Sequence, residues 1–375
     1  MTARCCCFLA GFALASLFGT AGSPDPSFTP FAKTIRAVGV APDGRMLITG
    51  GAFPIPGQPG FFCSLWLLAD GSSDSTFVPF DSNGEGFFAV LPGRTVVAAS
   101  IPFEVAGTDE HLVSLLPDGS RDPAFTLPNP DNWMYTILPL AEGGFYVGGN
   151  FGNSGGHPYE WFARLNDDGS VNQAIAPLEF GAATSQPNIS TIDQFADGSI
   201  IVGGDFDTIG ATDQANLVKL HPDGTRGTSF VPALPGARFV SGVAALPDGK
   251  VLVHGGLGVN NFPGTTQGLL RLNANGTIDE SFARASNLQG ISAMVVQADG
   301  KIIMAGRWLP EGASRSKHQI MRLHPDGSLD SSFPPHELDD VSGLVWGLLL
   351  QEDGRILANG FRIGFGGNAD LGLYR

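Results

Sequence analysis

Reactive and chelating side chains are scarce in these 375 residues. Of four cysteines, three stand together at Cys5, Cys6 and Cys7, which leaves Cys63 alone in the rest of the chain. One thiol closes no intrachain disulfide and builds no cysteine metal site. The seven histidines show no His-x-x-x-His spacing, so no zinc motif is present. Charge is also sparse: 21 basic residues face 36 acidic ones, for a net charge of −15. Without a basic cluster, that balance argues against nucleic acid and anionic membrane surfaces as partners. The apolar stretch from Cys5 to Phe18 is shorter than the ~20 residues that span a bilayer. It follows Arg4 and ends at Gly19-Thr20-Ala21, the pattern of a secretory signal over residues 1–21 with no membrane insertion. Its cysteines lie at the wrong end for lipidation.

Glycine and proline, in contrast, are abundant, with 52 and 27 copies. They recur at fixed offsets. A Pro/Ala-Asp-Gly turn followed by an apolar run, as in Pro42-Asp43-Gly44-Arg45-Met46-Leu47-Ile48-Thr49-Gly50, returns with turn glycines at Gly44, Gly93, Gly143, Gly198, Gly249, Gly300 and Gly354. A period near fifty residues means one supersecondary unit stacked repeatedly. A second motif is interleaved with the first. It reads Leu323-His324-Pro325-Asp326-Gly327-Ser328-Leu329-Asp330-Ser331-Ser332-Phe333 in its full form, with equivalent glycines at Gly71, Gly119, Gly169, Gly224 and Gly276. A partial copy, Gly22 to Phe28, opens the array, and Leu371 to Arg375 matches the strand that precedes such a turn. Front and back thus hold complementary parts of one repeat, as in a ring closed by its own termini. Residues 22–375 then form a single domain with about 51 residues per repeat.

Within one repeat, Ile291–Gln297 reads as an inner strand and Lys301–Ala305 as a second strand apolar on both faces. Gln319–His324 reads as a third and Ser328–Phe333 as an outer fourth. The expected fold is all-β: a seven-bladed β-propeller of four-stranded antiparallel blades. The two motifs together resemble the delta-60 repeat family of bacterial β-propellers, over Gly22 to Arg375. That resemblance implies a secreted, periplasmic or cell-surface bacterial protein and assigns no shared chemistry. The second repeat departs most, with Leu91-Pro92-Gly93 and Ala98-Ala99 in place of the Asp-Gly and Gly-Gly elements, and Ile175 replaces one terminal phenylalanine.

Chemistry is hard to find. Asp before Gly is what an Asx-turn requires, and each turn offers too few carboxylates for calcium. Gly152-Asn153-Ser154-Gly155-Gly156 has the form of a nucleophile elbow but lacks the strand-turn-helix setting. No cofactor or metal is implied. Aligned on the turn glycine, one inner-strand position is always small: Ala37, Gly86, Thr136, Thr191, Gly242, Ala293 and Gly347. Convergence of the strands on a crowded axis accounts for this. The position before it varies, from Arg36, Glu85 and Tyr135 through Ser190, Ser241 and Ser292 to Trp346. The loops between second and third strands vary most, as at Arg307-Trp308, Asp205-Phe206-Asp207 and His157-Pro158-Tyr159-Glu160-Trp161, and should share a face with that ring. Candidate binding residues are therefore Arg307, Trp308, Tyr159, Tyr135, Trp346, Arg36 and Glu85, with Arg36 and Glu85 placed to pair. Two functions remain: a monomeric scaffold binding a glycan or protein, or a glycan-active enzyme using carboxylates such as Glu85 or Glu160.

Overall fold

The computed structural model describes residues 34–41, 43–51, 63–76, 80–81, 87–91, 94–105, 108–125, 133–152, 160–183, 186–234, 236–257, 268–283, 288–309, 316–333, 336–338, 344–351, 353–361 and 373–374. These are strands and turns throughout. No helix among them is long and apolar enough to cross a membrane.

The chain folds as successive antiparallel meanders. The first is β1 (Thr34–Val40), β2 (Met46–Gly51) and β3 (Cys63–Leu67), with a short β4 (Phe80–Asp81) added outside. Next come β5 (Phe87–Leu91), β6 (Arg94–Val105) and β7 (Thr108–Leu115), then β8 (Met134–Pro139), β9 (Phe145–Gly149) and β10 (Phe162–Leu165). A small sheet follows, formed by β11 (Phe180–Gly181) with the hairpin β14 (Thr208–Ile209) and β15 (Thr212–Asp213). That hairpin emerges from the meander β12 (Asn188–Gln194), β13 (Ile200–Asp205) and β16 (Leu217–Leu220). The meander β17 (Phe239–Ala245), β18 (Val251–Gly256) and β19 (Gly268–Leu272) precedes β20 (Leu288–Val296), β21 (Ile302–Trp308), β22 (Lys317–Leu323) and an outer β23 (His336–Glu337). The last consists of β24 (Leu344–Leu350), β25 (Ile356–Phe361) and β26 (Leu373–Tyr374), so the C-terminal residues supply a third strand, as expected.

Both Asp-Gly motifs make one kind of turn. In the first, Ala41 N donates to Arg45 O at 2.8 Å and Gly44 N to Ala41 O at 2.9 Å. Asp43 Oδ1 accepts from Arg45 N, two residues on. Gly44 sits at φ 84°, the left-handed conformation that a three-residue hairpin loop ending in a bulge requires. The second repeat turns more tightly: Leu91 pairs directly with Arg94, and its register is displaced by one. Phe87, and not Gly86, is consequently the residue that faces Ala98.

The expected four-stranded unit is corrected to three strands. After the second turn the chain makes a single bridge, as at Leu323↔Leu329 or Leu272↔Ile278, and then bends inward. Asp330 causes the bend, its Oδ1 accepting from Ser332 N at 3.0 Å and from Ser332 Oγ at 2.5 Å. Phe333 N closes the turn on Asp330 O. The hook drives Phe333 into the core, and Phe125, Phe230 and Phe282 are buried likewise, with Ile175 in the equivalent place. A short fourth strand resumes only beyond the hook, as β4 and β23.

The inner strands carry a β-bulge at one repeated position. Register shifts between Ile35 and Ala37, Met134 and Thr136, Ile189 and Thr191, Val240 and Gly242, Ile291 and Ala293, and Val345 and Gly347. The skipped residue is the varied one: Arg36, Tyr135, Ser190, Ser241, Ser292 or Trp346. The bulge presses the inner strand's backbone onto its partner, so a Cβ on Gly149, Gly204, Gly255 or Gly306 would collide with a carbonyl across the pair. This contact accounts for the repeated glycine at that place.

Smallness at the next position also has a local cause, which corrects the crowded-axis account. Gly242 pairs with His254 and Gly347 with Asn359, and a Cβ on either glycine would strike that partner's side chain. Thr136 and Thr191 face Gly148 and Gly203, while Ala37 faces Thr49 and Ala293 faces Ala305. Each cross-strand pair shares one slot against the next meander: a Cβ on Gly148 would meet Ile189, and one on Gly203 would meet Val240. Where one residue is large, its partner is small.

Inner strands lie side by side in chain order, β1 against β5, then β8, β12, β17, β20 and β24, and β24 also touches β1. Buried side chains stitch neighbours together. Asp193 Oδ2 accepts from Ala245 N at 2.7 Å, and Asn359 Nδ2 donates to Ile35 O at 3.2 Å across 324 residues of sequence.

His254 fills its slot without a partner for Nδ1. Burial pushes its pKa down to about 4. An unfolded imidazole takes its proton near 6.5, so stability is fully present above that pH and is lost as pH falls from 6.5 toward 4. The loss approaches ~3 kcal/mol. His254→Asn installs the amide found at the matching place in β25. Denaturant titrations at pH 7 and pH 4 should show the native protein losing more stability than the variant by about that amount. Parallel losses would contradict a neutral buried imidazole.

Candidate functional site

The meander topology sorts the molecule into two ends. Both Asp-Gly turns of each repeat lie at one end. The starts of inner strands, the ends of second strands and the starts of third strands lie at the other.

At the turn end the polar groups are committed to holding the repeat. Asp330, 1% exposed, accepts from Arg322 Nε at 2.8 Å with Lys301 Nζ 3.4 Å away, while the Arg322 guanidinium lies 4.8 Å over the Phe333 ring. The repeat before it matches: Asp279 accepts from Arg271 Nε at 2.8 Å and Lys250 Nζ at 2.9 Å, with Arg271 4.7 Å over Phe282. The Ser332 and Ser281 hydroxyl hydrogen bonds, with their cationic partners, hold both carboxyls well below the usual range against the opposing effect of burial. Asp74 does the same with Thr76 and Arg45, and Arg45 lies 5.0 Å over Trp66. Arg45 and Lys301 are therefore structural. The turn aspartates are occupied too, Asp70, Asp118, Asp168, Asp223 and Asp326 each accepting from the amide two residues on. Among the described residues no cluster of three His, Cys, Asp or Glu could hold a metal ion.

The opposite end carries the varied residues. Arg36, Tyr135 and Trp346 occupy bulge positions of β1, β8 and β24, and Arg307 and Trp308 end β21. Arg307 is exposed and donates from Nη2 to Ser316 Oγ at 2.9 Å. Trp308 is half-buried and packs against the cluster containing Leu288, Met304 and Met321. Trp346 stacks on Phe361 with ring centres 6.4 Å apart. Glu85 and Tyr159 lie outside the described residues, as do Asn153 to Gly156 of the elbow-like motif. The expected Arg36–Glu85 pair therefore also lies outside the described residues. Glu160 is half-buried at the entrance to β10.

Several residues at this end were not among the candidate binding residues, although Trp161 and Asp205 lie in loops already marked as variable. Trp133, 48% exposed, meets Tyr135 edge-on at 6.3 Å. Trp161 is half-buried and holds φ at 63°, and Asn216 takes φ 64° at the matching place in a neighbouring repeat. The carbonyls of both accept from the second-strand glycine amides, Gly149 N and Gly204 N, at 3.0 Å. Asp205 is raised by burial first and by the charge of Asp207 second, with Arg238 opposing. These residues lie at fixed offsets from the turn glycines, but the residue type there changes between repeats, as from Trp161 to Asn216, so a periodic motif could not flag them.

Three stretches of the chain, residues 196–230, 246–282 and 297–333, match a family model described as a domain of unknown function (DUF5122) beta-propeller. Each stretch starts just before a first Asp-Gly turn and ends on the hook phenylalanine, Phe230, Phe282 or Phe333. The chain is similar in structure to the WD40 beta propeller domain of Doa1, with TM-score 0.52, 11% identity and 95% of each chain covered. It is also similar to the extracellular domain of a putative hybrid two component system from B. thetaiotaomicron, with TM-score 0.52 and 14% identity. That match covers 92% of this chain and 40% of the other. A comparison with curated proteins gave no match. The fold is a β-propeller.

The turn-end staple gives a clean test. Asp330→Ala leaves Arg322, Lys301 and the Ser332 amide without their shared acceptor and should lower stability by about 2 kcal/mol in chemical denaturation. Gly227, which stands where Asp74, Asp122, Asp279 and Asp330 form the hook and Asn172 replaces them once, should accept Ala with a far smaller loss. Equal losses at the two positions would refute the staple.

Proposed function

We propose that this chain is an exported binding module of the delta-60 repeat type, a monomer that engages a glycan or protein ligand through the end opposite its Asp-Gly turns. One observation carries the reading. Side chains at the turn end are spent on repeated internal ion pairs, whereas the other end presents residues of differing chemistry on the same backbone position. Arg36, Tyr135 and Trp346 stand there in three repeats and Ser190, Ser241 and Ser292 in three others, with Arg307 and Trp308 at the end of β21. Rigid scaffolds place recognition on such positions. Aromatic and arginine side chains supply most binding energy where they occur.

The architecture in this proposal has seven blades over residues 22–375, closed by the terminal strands, after a secretory signal at 1–21. The contact of β24 with β1, the Thr34↔Phe361 bridge and the Asn359–Ile35 hydrogen bond support closure. The alternative, a glycan-active enzyme, is favoured by Asp205, whose raised pKa beside Asp207 suits a general acid. Asp205→Asn would abolish such an activity while sparing binding.

An experimental structure of the exported protein tests the architecture. It should begin near Gly22 and place residues 23–28 beside Leu373–Tyr374; six or eight blades, or retention of Cys5–Phe18, would end that reading. The site is tested by screening the protein against glycan and peptide arrays and then measuring Trp308→Ala and Arg307→Ala on any ligand found. Trp308→Ala should weaken binding by ~2 kcal/mol with its cooperative unfolding transition retained. Unchanged binding in both variants would move the site away from this end.

A further inference from the structure

The loop end of the third meander gathers three features that the binding reading above does not use. The first is an aromatic corner. Trp133, 48% exposed just ahead of β8, meets the half-buried Tyr135 edge-on at 6.3 Å. The second is strain: Trp161 holds φ at 63°, a conformation that bulky residues keep only where their surroundings impose it. The third is a pair of orphaned polar atoms. Asn150 Oδ1 and Trp161 Nε1 are both closed from solvent with no hydrogen-bond partner among the described residues. Burying an acceptor and a donor unsatisfied is costly, and folds avoid it where no function requires it.

These pieces belong to one rigid unit. Asn150 N donates to Trp133 O at 2.8 Å, Gly149 N to Trp161 O at 3.0 Å, and Trp161 N to Phe151 O at 2.9 Å. A Cβ on Gly149 would collide with the Trp133 carbonyl, so the segments meet in backbone contact. The amide oxygen and the indole N–H are therefore fixed next to the segment that carries the exposed ring.

We propose that this corner is a saccharide subsite, with the Trp133 face stacking on the C–H face of a neutral hexopyranose unit while its hydroxyls reach Asn150 Oδ1 and Trp161 Nε1. A hydroxyl is the group that both donates to an amide oxygen and accepts from an indole N–H. An aromatic ring offers the flat apolar surface that a sugar ring presents on its other side. The neutral sugar follows from charge: the chain carries −15 overall, and Glu160 adjoins Trp161. A uronate would meet repulsion there. Both atoms are closed in this structure, so side chains at this corner must shift for the hydroxyls to reach them.

The proposal rests on the loop-end reading but can fail separately. The probes are cellohexaose, maltohexaose and chitohexaose, with hexagalacturonate as the anionic comparison, titrated calorimetrically into the full chain. At least one neutral hexasaccharide should bind, with a change in tryptophan fluorescence, and hexagalacturonate more weakly. Trp133→Ala should weaken the bound sugar about tenfold and Asn150→Ala about threefold, with Asp118→Ala at the turn end within about twofold. Tyr135→Ala provides a second reading of the aromatic corner should Trp133→Ala not fold. Absence of binding by all three neutral sugars, or unchanged affinity in folded Trp133→Ala or Tyr135→Ala, overturns the subsite. Loss in Trp308→Ala alone overturns it while leaving the loop-end site intact, as does an array that returns only peptides.

Discussion

Each meander has two apolar faces and cannot stand alone. In β18 the run Val251, Leu252 and Val253 is fully buried although successive side chains point to opposite sides of the sheet. Ile200 to Val202 in β13 and Ile302 to Met304 in β21 repeat the pattern. At roughly 1.5–3 kcal/mol for each large aliphatic side chain, leaving either face wet would cost more than a domain of this kind can spare. Every sheet must therefore be covered on both sides by its neighbours. The clusters reflect this: Leu252 joins Met294 and Met304 of the following meander, whereas its chain neighbours Val251 and Val253 join Ile201 and Leu217 of the preceding one.

Face-to-face stacking leaves the ends of the strands as the only places where repeats can differ in chemistry, and the two ends use that freedom differently. At the turn end, the guanidinium of Arg271 or Arg322 serves two partners, an aspartate through Nε and a phenylalanine ring through its face. The planar group suits both, which a lysine ammonium does not. Where the aspartate is absent, at Gly227, Lys219 instead lies 3.8 Å over the Phe195 ring. Packing is conserved by substitution of one cationic contact for another, so this end varies within a structural theme. No such theme ties the loop-end residues to each other.

Much of this was legible in the sequence because it depends on periodic glycine. The turn glycines announce left-handed backbone, and their observed φ values of 81–97° are what a hairpin of this length demands. The hook was misread as a fourth strand because Ser328-Leu329-Asp330 alternates like one, and the competing Asx-turn at Asp330 wins after a single bridge. The small inner residues were read one by one, although their meaning lies in pairs such as Gly242 with His254 that are twelve residues apart in sequence. The staple had a periodic signal, arginine eight residues before aspartate at Arg271/Asp279 and Arg322/Asp330, which the turn motif overshadowed. Trp133, Asn150 and Trp161 had none, since the equivalent positions carry other residues, such as Asn188, Asp205 and Asn216 in the following repeat.

The bulge explains why a varied ring exists at all. Residues flanking it are constrained: Ile35, Met134, Ile189, Val240, Ile291 and Val345 are buried on one side, and the slot-sharing small residue stands on the other. The bulged residue itself is skipped by the register and shares no slot with a residue across the pair. Arginine, tyrosine, serine and tryptophan all occur there, each with contacts of its own, as where Trp346 stacks on Phe361 and Ser292 Oγ donates to Ala305 O. The glycine opposite bears the steric cost of the bulge, in the same way at Gly149, Gly204, Gly255 and Gly306. The fold thus fixes a glycine in order to leave its neighbour open, and an invariant residue and a variable one arise from the same backbone contact. A ring of positions that structure leaves undetermined is where a recognition surface can change without a change in stability.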